Sequence, residues 1–402
     1  MTTTPTPAKP YRFAVILVTS LFFMWGLSYG LLDVLNKHFQ ETLNITKARS
    51  AWLQAAYFGA YFIMAMPAAA LIGRRGYKFA ILCGLCLFAA GALLVIPATL
   101  ALSFPFFVGA LFVVASGLAF LETAANPYIT LLGDPVGSER RLNLSQSFNG
   151  LGQFTGPLLA KVLLFSAVTD ASAHAPVRAI YVGIAILVLL LAFFIYHTPM
   201  PEGAAVNNEP DQPGSVTASV WSHKHFTWGV VAQFFYVAAQ VCVGTYFLNY
   251  VTEHSDMTSG DAAGLLSIGM LCFLGGRFAG TALMTRIAPA TLLFSYALIN
   301  VALAAVVMAA LGQTSVLALV VLFFFMSIMF PTIFALAVKG LGAQTKQGSS
   351  YLIMSIVGGA IMPYVMGRIA DAEGTAIAFA LPLACFVIVA IYSWKTRSGW
   401  KT

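Results

Sequence analysis

Two acidic side chains stand inside long apolar runs, and they are the residues best placed to do chemistry. Asp33 lies in the run 12–35, and Glu122 lies in the run 104–132. The other acidic residues fall in polar connections or at the ends of apolar runs. An acid at membrane depth costs a few kcal/mol on insertion scales, roughly 3, so it usually faces a cavity or a partner. A low dielectric favours the uncharged form of a carboxylic acid, which suits a proton carrier.

Each acid also has a structural interpretation. Asp33 stands near the end of its run, beside Asn36, Lys37 and His38, so a position at the membrane interface remains open. Glu122 lies deeper in its run and could brace a kink before Pro127 by hydrogen bonding. A neutral side chain could brace a kink at lower insertion cost, so a functional role is favoured for Glu122.

Amides and phenols recur at helical spacing in several runs. Glu122 and Asn126 lie four residues apart, on one helix face. Three other runs carry polar stripes with similar spacing: Asn143, Gln146, Asn149 and Gln153; Gln54, Tyr57 and Tyr61; and Gln233, Tyr236 and Gln240. Such groups donate and accept hydrogen bonds, as binding of a polyol requires. The alternative for each residue is a hydrogen bond that holds two membrane helices together.

The elements that must position these residues are membrane-spanning helices. Of 402 residues, 59% are hydrophobic and 9% are charged, and the mean hydropathy is +0.86. A soluble domain carries about 25% charged residues, and a membrane-spanning helix needs about 20 apolar residues. The sequence therefore predicts twelve spans: 12–35, 50–72, 78–99, 104–132, 142–166, 177–197, 226–251, 261–284, 289–311, 314–338, 348–369 and 374–394.

Prolines repeat at a nearly constant offset. Pro127 and Pro331 are 204 residues apart, and Pro157 and Pro363 are 206 residues apart. An offset near half the chain length predicts two parallel six-helix repeats, the build of the major facilitator fold, with a substrate site near the midplane. We expect an all-α membrane protein with an N-terminal half 1–197, a Pro-rich cytoplasmic linker 198–225 and a C-terminal half 226–402.

Basic residues indicate the orientation. If the N-terminus is cytoplasmic, most Lys and Arg residues fall on the cytoplasmic side, which predicts cytoplasmic N- and C-termini. The net charge of +7 is spread over short connections and does not indicate nucleic-acid binding. The five cysteines lie in apolar runs and predict neither a disulfide framework nor a metal site. Nucleophile-elbow, zinc-protease and P-loop motifs are absent from the sequence, so no catalytic centre is expected.

Several runs resemble the fucose–galactose–glucose:H+ symporter family of the major facilitator superfamily, and most closely its L-fucose:proton symporter branch. They extend from Tyr11 to about Trp394, and the most specific are LETAANP and RLNLSQSFN. The other matching runs are LFFMWGLSYGLLDVL, AYFGAYFIMAMPA, WGVVAQFFYVAAQ, CFLGGRFAGT, FMSIMFPTIFAL and GSSYLIMSIVGGAIMP. The resemblance implies a symporter that moves a monosaccharide, L-fucose or a related hexose, by alternating access across a bacterial inner membrane.

The resemblance also assigns residues. Asp33 matches an aspartate associated with proton coupling, and Glu122 a glutamate associated with both sugar binding and protonation. Gln146 and Asn149 match polar cavity residues. The full set of expected sugar-binding residues is Glu122, Asn126, Gln146, Asn149, Gln54, Tyr57, Gln233, Tyr236 and Gln240. Arg74 and Arg75 of GRRGYK, together with Arg277 of CFLGGRFAGT, are assigned to the conformational motif near the cytoplasm.

The chain departs from the fucose branch at Ser28, Tyr29 and Gly30, and at Gln347, so its sugar-facing surface is expected to differ. We expect a monomer in the lipid bilayer, with H+ as the coupling ion and no other cofactor. Two alternatives remain from the residues themselves. Sparse acids could serve a sodium-coupled sugar porter, and a drug:H+ antiporter would have a more apolar cavity without amide stripes.

Overall fold

The computed structural model describes residues 12–131, 138–164, 175–200, 219–341 and 345–398. In the first half, Gly76 has a φ of 82°, a left-handed conformation that suits glycine, and it separates spans 2 and 3 within one long helical stretch. The helices of this half are Arg12–Leu43, Lys47–Ser50, Trp52–Leu100, Phe104–Leu131, Ser138–Leu163 and Ala175–His197.

The second half has more interrupted spans. Span 10 breaks at Ser327 and Ile328, which puts Pro331 in the first turn of the next helix, where its missing N–H is tolerated. Span 7 breaks at Tyr246. The helices of this half are Lys224–Thr245, Phe247–His254, Ser259–Leu283, Pro289–Met308, Gln313–Met326, Met329–Val338, Thr345–Met354, Gly358–Glu373, Thr375–Ala378 and Ala380–Arg397. Short 3-10 turns cover Val220–Ser222 and Ser355–Val357.

Ten stretches of the described chain are long and apolar enough to cross a membrane. One of them, Lys47–Leu100, contains spans 2 and 3. Span 5, helix Ser138–Leu163, is missing from the ten because the amide and hydroxyl side chains along its length lower its mean hydropathy. These facts account for all twelve predicted spans, and the predicted all-α fold is confirmed. Most of the predicted linker 198–225 lies outside the described residues, and span 7 begins at Lys224.

Close contact between spans 1 and 5 places the polar stripe of span 5 against span 1. A Cβ on Gly26 would clash with the backbone of Asn149, and a Cβ on Gly30 would reach the carbonyl oxygen of Gln153. Small residues allow membrane helices to approach in this way. Gly152 makes the reciprocal contact with span 1.

The two halves meet at one end of the bundle, which we call the distal face. It consists of residues 41–51, 253–261 and 370–375, and it lies opposite the end that holds Arg12 and Arg397. Lys47 forms an ion pair of 2.7 Å with Glu253. The carboxylate of Asp371 accepts hydrogen bonds of 2.9 Å from the backbone N–H groups of Lys47 and Ala48. The Ser259 hydroxyl donates to Glu41, and Lys161 pairs with Asp261 at 3.3 Å. These contacts close the distal face.

Candidate functional site

Asp33 of span 1 is buried against spans 2 and 7, and 2% of its surface is exposed. The hydroxyl of Thr245 donates to its Oδ1 at 3.4 Å, across the boundary between the halves. Its other oxygen, Oδ2, is buried without a hydrogen bond, and the side-chain amide of Gln54 lies beside the carboxyl group. Asp33 is therefore enclosed by the protein rather than exposed at its surface.

A chain of amides continues from Asp33 toward the distal face. Asn36 donates to Gln54 Oε1 at 3.1 Å, and Gln40 donates to Asn36 Oδ1 at 2.6 Å. The Gln40 amide also donates to Ser50 Oγ at 2.8 Å. Asn249 of the second half donates to Gln40 Oε1 at 2.6 Å. Gln54 is fully buried and belongs to this network, rather than to an open cavity.

Glu122 occupies a different position in the same half. Its half-buried side chain borders a small pocket with Phe22 and Trp25 of span 1. The hydroxyl of Tyr61 from span 2 lies beside its carboxyl group. The next polar residue on its helix face, Asn126, accepts a 3.0 Å hydrogen bond from Gln146. Glu122 therefore lies one helical turn from the hydrogen-bonded pair Asn126–Gln146, and all three side chains are partly accessible.

The rest of the span 5 stripe acts between helices. Asn149 is buried, and its amide donates to the backbone carbonyl of Phe22 at 3.2 Å. Gln153 donates to Asn149 Oδ1 at 2.8 Å, so both polar atoms of Asn149 have partners. This arrangement corresponds to the alternative of a hydrogen bond between helices. The side chain of Asn143 lies outside the described residues.

Span 7 brings its stripe close to that of span 2. Tyr236 is fully buried and donates to the carbonyl of Met326 at 2.9 Å. Gln233 is also buried, and neither atom of its amide has a hydrogen bond. Tyr29 of span 1 lies between Tyr57 and Tyr236, with its ring centroid 6.4 Å from that of Tyr57. Two of the predicted stripes thus converge at Tyr29, while Gln240 is half-buried on the same span as Tyr236.

The arginines assigned to one motif occupy different surroundings. Arg75 lies at the turn before Gly76, with its guanidinium carbon 5.2 Å from the Phe79 ring centroid, and Arg74 is exposed at the same turn. Arg277 instead lies within span 8, 5.1 Å from the ring centroid of Phe273, and faces Tyr236. Its Nε is buried without a hydrogen bond. Arg277 therefore borders the predicted sugar-binding residues rather than the Arg74–Arg75 turn.

Sequence reasoning missed the polar residues that join the halves. Asn36 and Gln40 follow Asp33 at intervals of three and seven residues, so the sequence alone indicates that the three residues share one helical face. Thr245 and Asn249 repeat the spacing of four on span 7, but nothing local pairs them with span 1. Tyr29 was noted only as a departure from the family pattern.

Comparison with known proteins agrees with this fold. The sequence matches the Major Facilitator Superfamily over residues 17–363. It is 38% identical over 391 residues to a glucose/galactose transporter of Brucella abortus, covering 96% of this chain and 94% of the relative. It is 37% identical over 409 residues to the L-fucose-proton symporter of Escherichia coli K12, covering 96% of this chain and 93% of the relative.

A similar solved structure is that of the E. coli fucose:proton symporter, crystallised in the outward conformation. It has a TM-score of 0.72 and 36% identity, and the match covers 96% of this chain and 99% of the other. The chain belongs to the Major Facilitator Superfamily, within its group of fucose, glucose and galactose transporters.

Proposed function

We propose that this protein is a proton-coupled monosaccharide symporter that works by alternating access. The observation that carries the proposal is the position of Asp33, a buried acid of the first half enclosed by Thr245 and Gly244 of the second half. A protonatable group at this boundary links proton binding to the relative movement of the halves. The transporter relatives support this function, and none of them is named as an enzyme.

The charge state of Asp33 decides how well the two halves fit together. Among the described residues, no basic side chain forms an ion pair with Asp33. An ionised carboxylate with an unpaired buried oxygen is costly, whereas a neutral carboxylic acid is tolerated. Proton binding to Asp33 therefore favours the arrangement in which the distal face is closed. When the halves separate around Asp33, the proton returns from its carboxyl group to water.

The side chains of Glu122, Asn126 and Gln146 bind the sugar, and Trp25 lies beside Glu122. Together these side chains donate to and accept from adjacent hydroxyl groups, and the indole face packs on sugar C–H groups. Gln233 of the second half adds a buried amide without a partner, which a hydroxyl group of the sugar satisfies when the halves come together. We infer that the substrate is L-fucose or a related hexose.

The positions of the basic residues and the known relatives support an orientation of the protein in the membrane. Arg397 and Lys395 lie at the end opposite the distal face, and Lys395 packs over Trp228 at 4.9 Å from its ring centroid. Basic residues favour the cytoplasmic side, so we assign that end to the cytoplasm and the distal face to the outside of a bacterial inner membrane. The division at 198–225 into two halves, and a monomeric state, belong to the same proposal.

Uptake by proteoliposomes tests this function. We expect a labelled hexose to accumulate when a proton gradient, acid outside, is imposed in Na+-free buffer, and Asp33→Asn to abolish accumulation while counterflow exchange survives. Accumulation that requires a Na+ gradient and ignores the proton gradient would assign the protein to sodium coupling. Proton-driven efflux of hydrophobic cations, with no hexose accepted from the panel, would assign it to drug antiport.

A further inference from the structure

Two buried phenols occupy the space between the acids, and the transport scheme above gives them no role. Tyr57 and Tyr61 lie four residues apart on span 2 and are 1% and 7% exposed. Neither hydroxyl makes a hydrogen bond of normal geometry. Burying a hydroxyl without a partner is unfavourable, roughly 1–3 kcal/mol each. Two such groups on one helix face indicate that these hydroxyls have hydrogen-bond partners in another state of the protein.

The two phenols form a path from one acid to the other. The Tyr61 hydroxyl lies beside both the Glu122 carboxyl and the Tyr57 hydroxyl, and the two rings have their centroids 5.4 Å apart. Tyr57 lies within electrostatic reach of both Glu122 and Asp33. Its ring centroid is 6.4 Å from that of Tyr29, which precedes Asp33 by one helical turn on span 1. Gln54, one turn earlier, lies beside Asp33.

We propose that Tyr61 and Tyr57 form a proton bridge between Glu122 and Asp33. This proposal rests on the proposed function. When sugar hydroxyls stabilise ionised Glu122, its proton moves to the oxygen of Tyr61, whose own proton moves to Tyr57. Tyr57 releases its proton to Asp33, and each phenol ends neutral. The net change is one proton lost by Glu122 and one gained by Asp33.

The bridge lies wholly within the first half, on spans 1, 2 and 4. Alternating access moves the halves as bodies, so contacts inside one half persist while contacts such as Thr245 with Asp33 form and break. A bridge of this kind carries the signal of sugar binding from Glu122 to the boundary at Asp33. The titratable and charged groups that face it are Asp33, Glu122, Tyr29 of span 1, Tyr181 of span 6, Tyr236 of span 7 and, behind Tyr236, Arg277 of span 8.

This assignment replaces the expected sugar contact of Tyr57. With 1% exposure and its ring packed edge-on against Phe58, Tyr57 offers little surface to a sugar. The hydroxyl, not the ring, is the functional atom in the bridge. Phenylalanine removes that atom alone and keeps the packing, so Tyr57→Phe and Tyr61→Phe are the informative substitutions.

The experiment measures sugar-driven proton uptake and hexose counterflow in proteoliposomes. We expect both variants to keep hexose affinity and counterflow within about twofold, and to lose at least tenfold in proton uptake and uphill accumulation. Tyr181→Phe, a buried phenol that faces Tyr57 but contacts neither acid, is the matched control and should behave as wild type. Normal accumulation in both bridge variants overturns the bridge alone. Lower affinity with an unchanged ratio of protons to sugar makes the phenols sugar ligands.

A second measurement needs no change to the phenols. Infrared difference spectra on hexose addition should show the protonated carboxyl band of Glu122 decreasing as that of Asp33 increases, the bands being assigned with Glu122→Gln and Asp33→Asn. A decrease at Glu122 with no increase at Asp33 overturns the bridge but leaves symport intact. Absence of any proton movement with hexose in the wild-type protein overturns the bridge and the proposed function together.

Discussion

Asp33 of the first half lies directly against Gly244 of the second, and a Cβ added to Gly244 would come within 2.6 Å of Asp33 Oδ2. The backbone of span 7 can therefore pack against the carboxyl group only because this residue has no side chain. Contact between Asp33 and a glycine of the opposite half makes the closed boundary sensitive to both volume and charge.

Gly244→Ala should therefore disfavour closure of the distal face. Overpacking of a tight contact costs about 1–3 kcal/mol, equivalent to roughly 5- to 150-fold in the population of the closed state. We expect the turnover number for uptake to fall by that order while hexose binding from outside persists. Gly275→Ala is the control, because nothing lies within 4 Å of the Cβ position there. Equal uptake by the two variants would show that the boundary relaxes at Gly244 without cost.

Asp371 should contribute more to distal closure than the Lys47–Glu253 ion pair. Its carboxylate accepts two backbone hydrogen bonds from the first half, each a hydrogen bond to a charged group. The Lys47–Glu253 pair is partly exposed, with 18% and 31% of the side chains accessible, and such pairs contribute at most about 1 kcal/mol. Asp371→Ala should therefore open the distal face more often than Glu253→Ala.

The measurement for the distal face is cysteine labelling. Ala48 of the first half is 5% exposed and lies against Gly367 of the second half, so Ala48→Cys reports on separation of the halves. We expect a membrane-impermeant maleimide to label this site several-fold faster with Asp371→Ala than with Glu253→Ala, after subtraction of labelling in the chain that retains Ala48. The reverse order would mean that the Lys47–Glu253 ion pair, and not the Asp371 carboxylate, holds the distal face closed.

Glu122→Gln should separate sugar binding from proton binding. Glutamine has the shape of the protonated acid and still donates and accepts hydrogen bonds, so hexose affinity should survive within about tenfold. The dependence of that affinity on pH should flatten, because the group that exchanges the proton at the sugar site is gone. Glu122→Ala should lose binding. Titration of hexose affinity against pH checks this, and parallel curves for wild type and Glu122→Gln would place the relevant proton elsewhere.

The fold was predictable because the bilayer fixes the length of each apolar run. All twelve runs correspond to helices, and the Pro331 signal falls at a real break in span 10. The breaks at Tyr246 and at Ser355–Val357 were not predicted, although the glycine pair Gly358–Gly359 directly follows the second of them. The charged run GRRGYK separated spans 2 and 3 in the sequence, and the positive φ of Gly76 marks the same boundary in the structure.

The site was predictable in its residue types and less so in their partners. The depth of Glu122 and the face shared with Asn126 could be read from spacing. The contacts that define Asp33 join residues 212 positions apart, and those at Asp371 join residues more than 320 apart. Local pattern carries no information about such pairs. The same limit explains why Asn149, a plausible ligand by spacing, proves to be bonded to span 1.

Gln146 and Asn149 provide the final prediction, because the sequence treats them alike and the structure separates them. Gln146 is half-buried and bonded to Asn126 beside Glu122, so Gln146→Ala should weaken hexose binding by about 1–3 kcal/mol, the cost of losing a buried polar partner. Its effect on thermal stability should be small, since the side chain joins only polar groups at the edge of the pocket.

Asn149→Ala should give the opposite pattern. The amide joins span 5 to the Phe22 carbonyl at the position where Gly26 permits close contact, so its loss removes a hydrogen bond between the two helices and leaves the Gln153 amide without its acceptor. We expect lower thermal stability in detergent and hexose affinity within about threefold of wild type. Binding titrations and melting curves on both variants decide the matter: a large loss of affinity in Asn149→Ala at unchanged stability would return Asn149 to the sugar site.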